Sequence, residues 1–275
     1  MAEPILEVEH LRKVFESRRS RAAVVAVDDV SFTVPPGGSL AIVGESGAGK
    51  TTVARMLLAL ETPTSGRILV AGHQRVRRRL PTGERRRRAR DLQIVFQNPY
   101  GSLDPRQRVG DCLDEVLRLH SGRDPRRRQE RVLQLLHQVG LDERHARSVP
   151  RQLSSGQCQR VAIARALAPE PKVLVLDEAV SALDVSVQGQ ILNLLSDIRT
   201  RTGISYVFIS HDLAVVRQVT DELIVMRKGQ VLEAGHTARI LDAPRHPYTQ
   251  LLRASVPGPG WTPRRGGPGE APIRA

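Results

Sequence analysis

Leu40-Ala41-Ile42-Val43-Gly44-Glu45-Ser46-Gly47-Ala48-Gly49-Lys50-Thr51-Thr52-Val53 is the stretch on which the fold turns. Its first four residues form a short apolar run that reads as a buried strand. Gly44 to Thr51 fit the phosphate-loop pattern G-x-x-x-x-G-K-[ST]. Val53, Met56, Leu57 and Leu60 then recur at helical spacing i, i+3, i+4, i+7. Strand, Gly-rich turn and helix are the context the pattern requires. Glycines let the backbone curl and aim its N–H groups inward, and the helix N-terminus adds partial positive charge. Lys50 can reach β/γ-phosphates, and the Thr51 hydroxyl can face Mg²⁺. A plain Gly-rich turn with a surface lysine would share the composition but would not demand both flanks.

The chain has 275 residues, enough for one large α/β domain with attachments. Hydrophobic residues make up 40% and aromatics only 3%, so the core is expected to be Val, Leu, Ile and Ala. Cys112 and Cys158 lie far apart without C-x-x-C spacing, which indicates neither a disulfide frame nor a metal knuckle. Reduced thiols are the simple reading. The opening residues show no basic segment followed by a long apolar core, so no signal peptide is expected. No apolar run approaches ~18 residues, so no membrane span is expected.

Net charge is +13, mostly from arginine. The densest patch runs from Arg75 to Arg90, and a smaller one is Arg126-Arg127-Arg128. Nucleic acid or anionic lipid would suit such charge. No aromatics interleave the arginines, so bases have no stacking platform. The patch reads as a solvated loop, and no specific nucleic-acid partner is expected.

Residues 5–15 and 22–34 read as strands joined by a polar turn at 18–21. A short strand at 67–70 precedes the arginine-rich loop, and residues 91–97 return to strand. Residues 98–150 change to helical character, with apolar stripes Leu113, Val116, Leu117 and Val132, Leu135, Leu136, Val139. The α/β pattern resumes with a helix over 157–168 and the apolar strand Val173 to Leu176. Val187, Ile191, Leu194, Leu195 and Ile198 line one helix face, and 204–209 and 223–226 are further strands. Strands alternating with helices argue for a mainly parallel sheet. Residues 257–275 are Pro/Gly/Arg-rich, the composition of a disordered tail.

The strand Val173 to Leu176 ends in Asp177-Glu178, and strand C-termini are where ligands sit in open α/β sheets. Asp177 can hold Mg²⁺ through its water shell, and Glu178 can orient the attacking water. Capping of the next segment would also explain either carboxylate. Leu153-Ser154-Ser155-Gly156-Gln157 precedes a helix, Ser181-Ala182-Leu183-Asp184 follows the carboxylates, Gln97 ends a strand, and His211 follows another.

With these six elements in this order, residues 5–256 resemble the ATP-binding subunits of ABC transporters. The resemblance implies a phosphate-loop NTPase fold of the ABC type, with an N-terminal antiparallel β subdomain and a helical insertion at about 98–155. It implies ATP and Mg²⁺ as cofactors, and two such subunits stacked head to tail. Each ATP would lie between one subunit's Gly44–Thr52 loop and the other's Ser154, Ser155, Gly156 and Gln157, with Asp184 nearby. His211 would contact the γ-phosphate, Gln97 would sense Mg²⁺ and water, and Phe15 would stack on adenine. Hydrophobic packing of a strand end explains Phe15 equally well.

Phe96-Gln97-Asn98-Pro99-Tyr100-Gly101-Ser102-Leu103-Asp104-Pro105 and His246-Pro247-Tyr248-Thr249-Gln250-Leu251-Leu252 resemble the peptide/nickel importer subfamily. That resemblance implies uptake of dipeptides, oligopeptides, nickel or glutathione. It also implies integral membrane permeases, a second ATPase subunit and, indirectly, an extracytoplasmic solute-binding protein. The place implied is the cytoplasmic face of the membrane. The residues after Cys158 contain no cysteine, so no iron–sulfur cluster is expected. The alternatives are a soluble ABC ATPase acting on nucleic acid or ribosomes, and a weakly hydrolysing regulatory subunit. Ser155 replaces the first signature glycine, Cys158 stands where arginine is usual, and Ala179 replaces the usual proline. A serine forced to φ > 0 at 155 would weaken the composite site it helps build. On that ground a heterodimer with unequal sites is expected.

Overall fold

The apolar run around Leu40 forms β3 (Ser39–Val43), the inner strand of a six-stranded sheet. It pairs in parallel with β8 (Ser205–Ser210) on one side and β9 (Glu222–Arg227) on the other. The order across the sheet is β10 (Gln230–His236), β9, β3, β8, β7 (Val173–Asp177) and β6 (Leu92–Val95). Only β10 is antiparallel to its neighbour. The computed structural model describes residues 3–16, 23–75, 81–122 and 124–254. The expected turn at 18–21, Arg77-Arg78-Arg79 and the tail 257–275 lie outside them.

Side chains alternate across each inner strand, and both faces are buried. Ala41 and Val43, Leu174 and Leu176, Tyr206 and Phe208 enter one core. Leu40 and Ile42, Val173 and Val175, Val207 and Ile209 enter the other. Burial on both faces is why these strands read as unbroken apolar runs.

The second core is closed by a four-stranded antiparallel sheet, β2-β1-β4-β5, of β1 (Leu6–Glu16), β2 (Ala23–Val34), β4 (Ser65–Val70) and β5 (His73–Gln74). Helix α1 (Lys50–Leu57) contributes Val53, Met56 and Leu57 to that core. Leu60, the expected fourth member of the stripe, is 60% exposed. The helix ends before it, and Ala59 turns the chain at φ 55°.

The arginine-rich segment is a helix where a loop was expected: α2 (Thr82–Asp91) runs directly into β6. Arginine is a good helix former, and Glu84 pairs with Arg88 one turn on. None of its residues is buried, so the apolar periodicity that reveals other helices is missing.

Helices α3 (Pro99–Ser102), α4 (Val109–His120) and α5 (Pro125–Gln138) follow, then two short 3₁₀ turns, Glu143–Arg147 and Pro150–Gln152. Leu113, Leu117, Val132, Leu135 and Leu136 join the first core, which also holds α6 (Ser155–Leu167) and α7 (Val185–Thr202). Asp124 caps α5 through Arg127 N–H at 3.1 Å, with Pro125 at the first helical position. Helices α8 (Leu213–Val219), α9 (Thr237–Asp242) and α10 (Pro247–Ala254) complete the described chain. Both cysteines are buried free thiols.

Candidate active site at the carboxyl ends of the parallel strands

Gly44 to Lys50 curl over the end of β3. Gly44 (φ 152°), Gly47 (φ 80°) and Gly49 (φ 103°) adopt backbone that favours glycine. A Cβ at 44 would stand 2.2 Å from the Met226 carbonyl oxygen, and one at 49 would stand 2.4 Å from that of Ala26. Two of the three glycines are therefore fixed by space as well as by torsion. Lys50 is buried, and its Nζ donates to the carbonyls of Gly44 (2.7 Å) and Glu45 (2.9 Å). Burial pulls its ammonium below the usual lysine range, while the Glu178, Asp177 and Glu45 carboxylates oppose that shift. A desolvated cation held only by carbonyls is primed for an anion.

Ser46, Gly47, Gly49, Lys50, Thr51, Thr52, Glu178 and His211 line one cleft of about 510 Å³, with Ala26 of β2 on its wall. No sequence signal marked Ala26. Asp177 ends β7 half-buried. Burial and the neighbouring Glu178 charge push its carboxyl above the usual range, against Lys50 and Arg55. Glu178 sits at φ 49°, left-handed backbone that a non-glycine residue adopts at a cost. Its N–H donates to the Ile209 carbonyl at 2.8 Å, and its carbonyl accepts the Ser181 hydroxyl at 2.9 Å. These bonds aim the side chain at His211, whose Nδ1 lies 3.3 Å from Glu178 Oε1. Exposed Gln97, two residues past β6, donates to Ser181 Oγ at 3.1 Å. Gln97 thus reaches the Glu178 backbone through one hydroxyl.

The remaining predicted residues stand elsewhere. Ser154 caps α6 in a reciprocal box: its Oγ accepts Gln157 N–H at 3.3 Å, and Gln157 Oε1 accepts Ser154 N–H at 2.9 Å. Gly156 packs so tightly on α7 that a Cβ would fall 2.6 Å from Val187 Cγ1. Ser155 is the first residue of α6, and φ there is not positive. The expected serine strain is absent, because the helix begins two residues earlier than the sequence suggested. Asp184 occupies the N-cap position of α7 without a side-chain cap bond. None of Ser154 to Gln157 or Asp184 lines the cleft. Phe15 is 41% exposed, and Lys13 Nζ lies 4.8 Å from its ring centroid. It pairs with Val24, two residues from Ala26, but does not line the cleft.

Thr51 at the rim and Asp177 at the strand end offer hydroxyl and carboxylate oxygens, the donors Mg²⁺ prefers. Among the described residues no group of three or more His, Cys, Asp or Glu could cage a metal. Magnesium commonly keeps several waters and takes only one or two protein oxygens beside substrate phosphates, so the donor set fits it.

The ABC transporter family profile matches residues 27–181, more than half of the chain. The chain belongs to the ABC transporter family. A second profile, the oligopeptide/dipeptide transporter C-terminal region, matches residues 232–274. The dipeptide transport ATP-binding protein DppF of Escherichia coli K12 is 44% identical over 261 residues, covering 94% of this chain and 78% of that protein. The glutathione import ATP-binding protein GsiA of Escherichia coli K12 is 47% identical over 260 residues, although the chain spans only 41% of its length. Among solved structures, the ATP-binding cassette MJ0796, in a dimeric post-hydrolysis state bound to ADP and Pi, superposes with a TM-score of 0.73 at 28% identity. That match covers 84% of this chain and 98% of the other. The ABC protein cbiO1 of Clostridium perfringens gives a TM-score of 0.76 at 29% identity, covering 88% and 92% of the two chains. The chain is thus an ATP-binding, ATP-hydrolysing member of the ABC family.

Proposed function

We propose that this ABC ATPase energises an importer for dipeptides, oligopeptides or a related solute such as glutathione. The observation that carries the proposal is the C-terminal match over residues 232–274, which contains His246-Pro247-Tyr248. Among the described residues no helix is long and apolar enough to cross a membrane. In this reading membrane passage is the work of permease subunits, with this chain docked on their cytoplasmic face. A solute-binding protein on the opposite side would select the cargo.

In the proposed mechanism Lys50 and the Gly44–Thr52 backbone hold the phosphates, and Glu178 orients the attacking water. His211 holds Glu178 and faces the γ-phosphate, while Gln97 relays occupancy through Ser181 toward the helices of residues 98–152. Thr51 and Asp177 would hold Mg²⁺, which neutralises charge on the phosphates, with Gln97 beside it. Catalysis is then positioning plus electrostatic stabilisation of in-line attack. Ser154 and Gly156 lie outside the cleft, which supports a site completed by a second ATPase subunit. Phe15 would reach the adenine only by extending the cleft wall past Ala26.

The test is affinity purification of the tagged chain from its own membranes, followed by peptide uptake. Integral membrane permeases should co-purify, and deletion should abolish uptake. Nucleic acid retained through high salt, without permeases, would instead support a soluble ABC ATPase.

A further inference from the structure

Outside the cleft, an unbroken series of hydrogen bonds joins the C-terminal segment to the phosphate loop. Glu233 of β10 accepts the N–H groups of Arg245 (2.9 Å) and His246 (3.2 Å) and so fixes the entry to α10. His246 Nδ1 accepts Tyr248 N–H at 3.1 Å, and Pro247 opens the helix with φ preset. Tyr248 is 3% exposed, and Arg227 lies over its ring at 4.6 Å from the centroid. Its hydroxyl accepts Glu45 N–H at 3.2 Å. That N–H belongs to the peptide unit whose carbonyl, on Gly44, accepts Lys50 Nζ at 2.7 Å. Tyr248 and Lys50 therefore grip opposite sides of one peptide plane.

The end of β9 and the turn that follows it meet the same loop twice more. Gly229 N–H donates to the Ala48 carbonyl at 3.0 Å, and the Met226 carbonyl closes the space beside Gly44. Lys50 Nζ donates to the Gly44 and Glu45 carbonyls. Phosphate would draw Lys50 away, leaving the Tyr248 hydroxyl to hold the peptide plane in place.

We infer that Tyr248 is a positioning residue for the phosphate loop, and that His246-Pro247-Tyr248 couples the C-terminal segment to nucleotide occupancy. The inference rests on the reading of Gly44–Thr52 as the ATP site. Tyr248→Phe keeps the ring and its Arg227 contact and removes only the hydroxyl.

Measured on the full chain, Tyr248→Phe should weaken ATP binding about 2- to 10-fold, the weight of one hydrogen bond. The KM for ATP should rise in step, with kcat at saturating ATP close to wild type and the thermal midpoint lowered slightly, since the Glu45 N–H loses its acceptor. A purely structural role would lower the midpoint while sparing KM. Lys50→Ala separates the two readings. If it abolishes ATP binding while Tyr248→Phe keeps wild-type affinity, the coupling is overturned and the site stands. If Lys50→Ala binds ATP normally, both fall. Hydrogen exchange on the wild-type chain needs no variant: ATP should slow exchange of the amides of residues 248–254. Exchange there indifferent to ATP overturns the inference.

Discussion

Glu178 combines the charge expected to orient water with backbone at φ 49°. Left-handed torsion costs an L-residue roughly 1–2 kcal/mol, and asparagine tolerates it better than most. Glu178→Gln and Glu178→Asn both remove the carboxylate, but only the second relieves the torsion. Glutamine can retain the 3.3 Å contact to His211, but that histidine is 59% exposed. Such a contact contributes well under about 1 kcal/mol, so the torsional term prevails. We expect Glu178→Asn to be more stable than Glu178→Gln by about 0.5–1 kcal/mol. For a chain of this size that is an upward shift of roughly 1–4 °C in thermal midpoint. Both variants should bind ATP and lose about 10²–10⁴-fold in turnover, the usual weight of a positioned proton acceptor. The assay is calorimetric unfolding of the nucleotide-free proteins beside steady-state phosphate release. Equal midpoints would refute strain at 178. Wild-type turnover in either variant would remove Glu178 from the chemistry.

Three further outcomes are expected. Asp177 has its folded pKa raised by burial and Glu178, so its ionised form is penalised in the fold. Asp177→Asn should therefore be more stable than wild type near neutral pH, with the difference fading as pH falls through the carboxyl's folded pKa. A pH-independent difference in midpoint would contradict this. Gly49→Ala should cost roughly 1–3 kcal/mol of stability and most ATP affinity, because torsion and the 2.4 Å approach to Ala26 both oppose the Cβ. Gly47→Ala, with no atom within 4 Å, should suffer from torsion alone, and parallel ATP titrations would rank the two. Ser155→Gly should lose no more than about 0.5 kcal/mol, since 155 is the first helical position and serine is itself a weaker helix former than alanine, and gain nothing in turnover; a several-fold gain in the ATPase rate would reinstate serine strain.

The phosphate loop was legible because an apolar strand run, a Gly-rich motif and a helical spacing follow one another directly between Leu40 and Leu60. The inner strands were legible for a related reason, since burial on both faces leaves a continuous apolar run. Helix α2 was hidden because nothing in it is buried. The start of α6 was misplaced by two residues, and the misplacement alone created the supposed strain at Ser155. Tyr248 was visible as part of a motif, yet its contact with Glu45 spans 203 positions, a distance that no local pattern encodes.

The large sheet ends on one side in β6, four residues long and running straight out of α2. On the other it ends in β10, whose pairing slips between Val231 and Glu233 and which carries Glu233 and His236. A short margin and an irregular, charged one are both poor templates for strand addition by another molecule. Through this sheet, copies of the chain are thereby protected from edge-to-edge polymerisation.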